Sequence, residues 1–450
     1  MVFTDTAADG PAAIAAGDRY PTPDEVLGAA RGLAARHPGL CGLRIVGTSR
    51  AGRPLHLLSI GRAARGLLIV AGAHANEAVG GATVLELARR ALAEPALRTA
   101  VSWHFLLCLD PDSAALAAGA EGDPRSQRDY FRRYYRPAAD EQPEWAAQLT
   151  PELPESRALL QLIAELRPFL QFSLHGTDVG GTFVESTAEL PGLAQAFGAA
   201  ARDLGIPVET GPYDAYYWPS PAPGVFLMPP GSDVDVAVAS SKELRTTTWH
   251  APQRYGGATV ILEVPTWACE RLADTTPLPD PSARLAVAAD QLRSRGALVA
   301  ERLAEVVARG GLDGSPFVRA ARSTLSCCSE LADEWDPRVA GLSAPLPAMT
   351  HGRLAAVELW AHRIPLRAAS LVRRALGTAG GAGPDSVAPD SAAPGLPAVA
   401  ARLDGLLDDW CAEYQRVFPS TWVPVARQVE QQVRTVLAMV MLDGQHPQGT

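Results

Sequence analysis

The feature that most constrains this chain is a run without a single polar side chain, Gly66-Leu67-Leu68-Ile69-Val70-Ala71, which breaks at Gly72 and leads into His74-Ala75-Asn76-Glu77. A strand that is apolar on both of its alternating faces has to be covered on both sides, which places it inside an α/β sheet. The surroundings agree. Residues 22–36 carry Val26, Leu27, Ala30, Leu33 and Ala34 at helical spacing and stop at His37-Pro38-Gly39, the pattern of an amphipathic helix with a stop signal. Two β-like runs, 43–47 and 55–60, flank Ser49-Arg50-Ala51-Gly52-Arg53, which reads as a hairpin turn. Helix is then expected over 83–92, strand over 101–109, helix over 156–165, strand over 169–174 and helix over 190–204. Such alternation argues for a three-layer α/β domain.

Between residues 205 and 257 the pattern dissolves into Pro, Tyr, Trp and Gly, an irregular region of the sort that builds active-site walls, and residues 258–264 restore a strand. Beyond about residue 277 the character changes, with helical periodicity over 284–308, 316–333, 352–376, 396–417 and 423–442 and no strand signal. The expected organisation is a catalytic domain over 1–277 and an all-helical C-terminal domain over 278–450, with a flexible Gly/Ala/Pro/Ser/Asp-rich segment at 378–395. Trp360, Trp410 and Trp422 suggest that the helical part packs as a bundle, able to cover an active-site mouth or to form a homo-oligomer.

Composition removes several function classes. With 47% hydrophobic and 20% charged residues, the 450-residue chain is not a disordered one, and a net charge of -9 without a long basic run argues against nucleic-acid or membrane-surface partners. No apolar stretch approaches the roughly 18 residues of a membrane span. Residues 1–17 carry acids where a secretory signal would be basic, so a cytoplasmic protein is expected. Six cysteines without CxxC or metal-site spacing read as reduced, mostly buried thiols.

His74 and Glu77 sit where the buried strand leaves the sheet, and the carboxyl ends of strands are where α/β sheets hold ligands. Their spacing lets an imidazole and a carboxylate converge on one cation. A histidine followed by a first-turn acid also occurs for structural reasons alone. His175, after the apolar run 169–174 and before Gly176, repeats the context of His74. Two histidines and a glutamate with an open fourth position form a hydrolytic zinc set, whereas a lone strand-terminal histidine is commonly just a satisfied polar group. Glu263 shares a strand face with Thr259 and Ile261. Burying its carboxylate costs several kcal/mol (an order-of-magnitude figure) unless something pairs with it. A general base beside a metal would require it there, and a salt bridge to an arginine would as well.

The helix with His37-Pro38, then Ile45-Val46-Gly47-Thr48-Ser49 and Gly52-Arg53-Pro54-Leu55, then the strand into Gly72-Ala73-His74-Ala75-Asn76-Glu77, resembles the zinc carboxypeptidase family of the M14 (funnelin) type. Leu109-Asp110-Pro111-Asp112 stands where that family has an Asn-Pro-Asp-Gly turn, and His175 and Glu263 follow in the family's order. The resemblance, over roughly residues 20–275, implies a mixed eight-stranded sheet between helices, one zinc ion held by His74, Glu77 and His175, and Glu263 as catalytic base. Family members that remove C-terminal residues grip the terminal carboxylate with an Asn-Arg pair. Here the only asparagine, Asn76, lies inside the metal motif, so that pair is not present as such. For the family's oxyanion arginine, Tyr130-Phe131-Arg132-Arg133-Tyr134-Tyr135-Arg136-Pro137 offers Arg132 and Arg136, with Arg133 as a substrate-binding candidate, or simply a solvated basic helix face. Tyr217 is the candidate for the family's mobile tyrosine.

Three readings follow. The first is a zinc metallocarboxypeptidase-like hydrolase acting on a small peptide. The second keeps the machinery but takes an N-acyl amino acid, a murein-type peptide or a metabolite amide. The third is a pseudoenzyme that works through its helical half; retention of all three ligands and Glu263 speaks against it.

Overall fold

The computed structural model describes residues 19–117, 122–145, 152–229, 247–310, 312–340, 346–378 and 395–445. Helix α1 (Pro23–Arg36) starts on a reciprocal cap: the Thr22 hydroxyl accepts from the Glu25 N–H at 3.2 Å and the Glu25 carboxylate accepts from the Thr22 N–H at 2.8 Å. The expected hairpin follows as β1 (Cys41–Thr48) and β2 (Pro54–Ile60), paired antiparallel. Next come β3 (Gly66–Val70), α2 (Val79–Ala93), α3 (Pro95–Ala100), β4 (Ser102–Leu106), α4 (Pro111–Ala117), α5 (Gln127–Arg133), α6 (Pro154–Leu166) and β5 (Leu170–Leu174). Two short strands, β6 (Thr177–Gly180) and β7 (Phe183–Ser186), precede α7 (Leu193–Leu204), β8 (Val225–Leu227), β9 (Ala258–Glu263) and β10 (Pro265–Ala268).

Eight strands form one mixed sheet in the order β1-β2-β4-β3-β5-β9-β7-β8. Its centre, β4-β3-β5-β9, is parallel, and antiparallel pairs flank it. Every residue of β3 is buried, as its composition requires. Its side chains divide between the two faces: Leu67 and Ile69 join the core under α1 and α2, while Leu68 and Val70 meet Leu159, Leu162 and Ile163 of α6. The middle layer of the three is therefore apolar on both sides.

After β10 the chain is mostly helical: α8 (Ser282–Gly310), α9 (Pro316–Ser326), α10 (Cys328–Trp335), α11 (His351–Thr378), α12 (Leu396–Val417) and α13 (Val425–Gln445), with a two-residue strand β11 (Thr421–Trp422). The expected helix over 316–333 is two helices joined at Cys327, and β11 adds a strand to a region that shows none in its periodicity. Of the flexible segment expected at 378–395, residues 379–394 lie outside the described residues.

Apolar packing crosses residue 277. Helix α13 places Val425, Val429, Val433, Val436 and Val440 in the same apolar cluster as the central strands. Its Gln432 donates to the carbonyls of His175 (2.8 Å) and Leu262 (3.2 Å) and accepts from the Thr83 hydroxyl at 2.7 Å. A second cluster joins Phe131, Tyr134, Val179 and Trp267 to residues of α8, α9, α11 and α12. Helical periodicity reveals an apolar stripe but not what covers it, so the last helix reads like its predecessors although it belongs to the sheet. Among the described residues, no helix is long and apolar enough to cross a membrane.

One consequence concerns close approach. A Cβ on Gly257 would lie 2.1 Å from the Pro168 carbonyl oxygen, whereas one on Gly28, within α1, would meet nothing within 4 Å. Gly257→Ala is expected to cost about 1–3 kcal/mol or more, and Gly28→Ala to gain about 0.5–1 kcal/mol. Urea denaturation of the two variants checks the contrast.

Candidate metal centre and active site

Parallel pairing of β3 with β5, Val70 beside Ser173, brings the carboxyl ends of both strands to the same edge of the sheet. The backbone at Gly72 takes a φ of +65° and passes so close to Cys108 that a Cβ would lie 2.9 Å from its sulfur. Only glycine combines that conformation with that approach. His74 then sits on the turn after β3, Glu77 stands just before α2, and His175 directly follows β5.

The three side chains meet. Glu77 Oε2 lies 3.0 Å from His74 Nδ1 and 2.8 Å from His175 Nδ1, and the two imidazoles stand edge to face with centroids 4.8 Å apart. One donor atom from each falls within 4.8 Å of the others, a group that could hold a metal ion. All three are buried, with 6%, 7% and 2% of their surface exposed for His74, Glu77 and His175. Burial, then the nearby Arg136 charge, pushes His74 down to about 4. Burial alone would raise the Glu77 carboxyl, but His74 and His175 hold it well below the usual range.

His175 owes its orientation to a residue that no sequence signal marks. Glu144 is fully buried; its Oε2 lies 2.9 Å from His175 Nε2, and its Oε1 accepts from the Ser173 hydroxyl at 2.7 Å. Burial pulls the His175 imidazole down, but its hydrogen bonds to Glu144 and Glu77 outweigh that and hold it well above its ordinary value. With Nε2 committed to Glu144, Nδ1 is the atom turned toward Glu77, the carboxylate-histidine arrangement that fixes a metal-binding imidazole. Glu144→Ala is expected to weaken the affinity of this group for a divalent metal ion about 10- to 100-fold, measured by competition with a chromophoric chelator, while the circular dichroism of the fold stays unchanged.

Glu263 ends β9, which runs beside β5 with Leu262 next to Leu174. Its Oε1 lies 4.0 Å from His175 Nδ1, and its buried Oε2 has no hydrogen-bond partner. Burial, and next the charge of Glu77, raise its carboxyl well above the usual range. No arginine pairs with it among the described residues.

The arginine candidates separate. Arg136 reaches the cluster, its Nη1 donating to Glu77 Oε1 at 2.9 Å and its Nη2 lying 3.0 Å from His74 Nε2. Arg132 does not: it is exposed on α5 and pairs at 3.3 Å with Asp408 of α12, to which Arg128 also bonds. Arg133 ends the same helix and donates to the Asp129 carbonyl at 3.2 Å. Tyr217 is also displaced, because its hydroxyl donates to Glu334 of α10 and its ring packs on Tyr216. Arg132 and Tyr217 therefore face the helical region. Their contacts to Asp408 and Glu334 involve elements remote in the sequence, which the local pattern could not reveal.

The mixed sheet thus presents, at one edge, a buried His/Glu/His group and beside it a carboxylate with one unpartnered oxygen. The sequence profile of the zinc carboxypeptidase family matches residues 27–180, about a third of the chain and a stretch that contains His74, Glu77 and His175. Among solved structures, the chain is similar to a metallo-carboxypeptidase from Burkholderia cenocepacia, with 18% identity over 53% of this chain and 58% of the other and a TM-score of 0.36. It is also similar to carboxypeptidase A from Helicoverpa armigera, with 16% identity over 57% and 69% of the two chains and a TM-score of 0.39. The chain thus spans less than two thirds of the length of the Burkholderia protein. No curated protein matches it.

Proposed function

We propose that the protein is a zinc-dependent hydrolase that cleaves an amide or peptide bond in a small substrate, with Glu263 as general base. The observation that carries this reading is the placement of the Glu263 carboxylate, whose Oε2 has no hydrogen-bond partner, 4.0 Å from the histidine of a compact His/Glu/His group. Two imidazoles and one carboxylate suit a single zinc ion with an open position. His74, Glu77 and His175 would hold it, and once bound it supplies Lewis acidity toward a carbonyl oxygen and toward water.

The chain's own residues supply the rest. Glu263, its basicity increased by burial, accepts the proton of the attacking water and returns it to the leaving amine. Arg136, at the edge of the cluster, is the guanidinium in reach of a developing oxyanion or a substrate carboxylate. Glu144 and Ser173 keep the His175 ring from turning.

A second substrate reading, a small N-acyl amino acid or metabolite amide, is favoured by one observation. Arg132 is held by Asp408, and Arg136 is the arginine that contacts the ligand group. Zinc content by elemental analysis, with turnover on matched panels of blocked dipeptides and N-acylated amino acids, tests both. The expected result is one bound zinc and hydrolysis within one panel; a zinc-loaded protein that cleaves no amide would overturn the hydrolase reading in favour of a binding role.

A further inference from the structure

The ladder of backbone hydrogen bonds between β5 and β9 stops where the ligand group begins. Paired residues run from Leu170 beside Ala258 to Leu174 beside Leu262, and the His175 N–H then donates to the Leu262 carbonyl at 3.0 Å. Past that point the two segments carry His175 and Glu263 and lead on into β6 and β10. A carbonyl at the end of a buried ladder needs a donor from elsewhere, because a hydrogen bond left unmade in the interior is costly. For His175 the donor comes from the last helix. Gln432 of α13 donates through Nε2 to the His175 carbonyl at 2.8 Å and to the Leu262 carbonyl at 3.2 Å.

The other end of the same amide is fixed as well. Gln432 Oε1 accepts from the Thr83 hydroxyl at 2.7 Å, and Thr83 lies on α2, the helix that begins two residues after Glu77. One side chain therefore bonds to the three elements that place Glu77, His175 and Glu263. Gln432 is 1% exposed and Thr83 is fully buried.

Packing alone gives no reason for an amide at this position. Val425, Val429, Val433, Val436 and Val440 form one stripe of α13 in the apolar cluster of the central strands. Gln432, three residues after Val429 and four before Val436, falls on that stripe. An aliphatic side chain there would gain from burial, whereas an amide loses its hydration and is repaid only by hydrogen bonds. The adjacent Gln431 provides the contrast. It is likewise buried, but its Nε2 donates to the Phe197 carbonyl at 3.4 Å, remote from the ligands, and its Oε1 has no partner.

We propose that Gln432 is a positioning residue of the metal centre. It holds the end of β5 against the end of β9 and the first turns of α2, so that the His175 imidazole stands where it meets Glu77 and His74. The proposal rests on the metal centre and not on hydrolysis, so its test needs no substrate. Cobalt(II) added to the metal-free, full-length protein reads affinity by competition with a chromophoric chelator and ligand geometry by the visible absorption of the bound ion. Gln432→Met, similar in size but without a donor, is expected to weaken cobalt affinity about tenfold and to shift the visible band. Gln431→Met should stay within about twofold of the parent, whatever either variant does to the urea midpoint. Thr83→Ser keeps the hydroxyl and should keep the affinity, while Thr83→Val should lose about threefold, the scale of one hydrogen bond. Parent-like affinity in Gln432→Met would overturn the proposal, as would an equal loss in Gln431→Met, which would mark a general effect of buried amides on α13. If Gln432→Met does not fold, Thr83→Val decides in its place: the loss supports the positioning role, and parent affinity rejects it. A parent protein that takes up no cobalt would remove the metal centre itself and the proposal with it, an outcome distinct from uptake that Gln432→Met leaves unchanged.

Discussion

On the hydrolase reading proposed above, Glu263→Gln is expected to keep its zinc and lose its turnover, with kcat falling by about 10²- to 10⁴-fold. The amide is nearly isosteric with the carboxylate, so the packing at the end of β9 is preserved, but it takes no proton from water. Glu263 Oε1 lies 4.0 Å from His175 Nδ1, and Oε2 makes no hydrogen bond, so the ligand group keeps its contacts in the variant. Removal of a buried, mutually repelling carboxylate should leave thermal stability unchanged or slightly raised. Elemental analysis and single-substrate kinetics on matched preparations check the two halves. A variant that retains a tenth or more of the wild-type rate would show that another group carries the proton.

Asp178→Ala is expected to give the largest loss of stability, about 3–5 kcal/mol. Asp178 lies on β6, three residues after His175, and is buried against two guanidinium groups of α11. Its Oδ1 lies 2.7 Å from Arg363 Nη2 and its Oδ2 lies 2.9 Å from Arg367 Nη2. Both arginines are themselves buried or nearly so, Arg363 also donating to the Val179 carbonyl and Arg367 lying 5.1 Å from the centre of the Tyr134 ring. Loss of the carboxylate leaves two positive charges in a low-dielectric interior with no anion between them. The exposed pair Arg44–Glu165, with 46% and 57% of the two side chains exposed, is the control, and Glu165→Ala should cost less than about 1 kcal/mol. Urea unfolding of both variants measures the contrast. Comparable losses in the two would mean that Asp178 does not hold α11 against the sheet.

The parts legible in the chain are those set by near neighbours. The apolar run at residues 66–71 becomes a strand buried at every position, and α2, α6 and α12 fall close to their expected limits. His74, Glu77 and His175 could be picked out because each follows a strand whose carboxyl end the pattern locates, and the structure brings all three together. Glu144 stands between Pro143 and Trp145 with no periodicity around it, and its meaning comes from His175, thirty-one residues later. Strands β6 and β7 escaped because each is four residues long and Gly180 and Gly181 intervene. Arg132 and Arg136 looked equivalent, yet α5 ends between them; Arg132 points with Arg128 toward Asp408, while Arg136 lies beyond the helix and turns toward Glu77.

By itself the amino-acid order determined most of the longer strands and helices, and which side chains stand where a central strand leaves the sheet. Both follow from interactions over a few residues: alternation, helical spacing and turn chemistry. Tertiary structure alone decided that the last helix closes the sheet, that Glu144 braces His175, that Arg136 and not Arg132 meets the ligands, and that Gln432 reaches the carbonyl of His175. Those outcomes depend on strand register and on packing between elements tens to hundreds of residues apart, which no local pattern encodes.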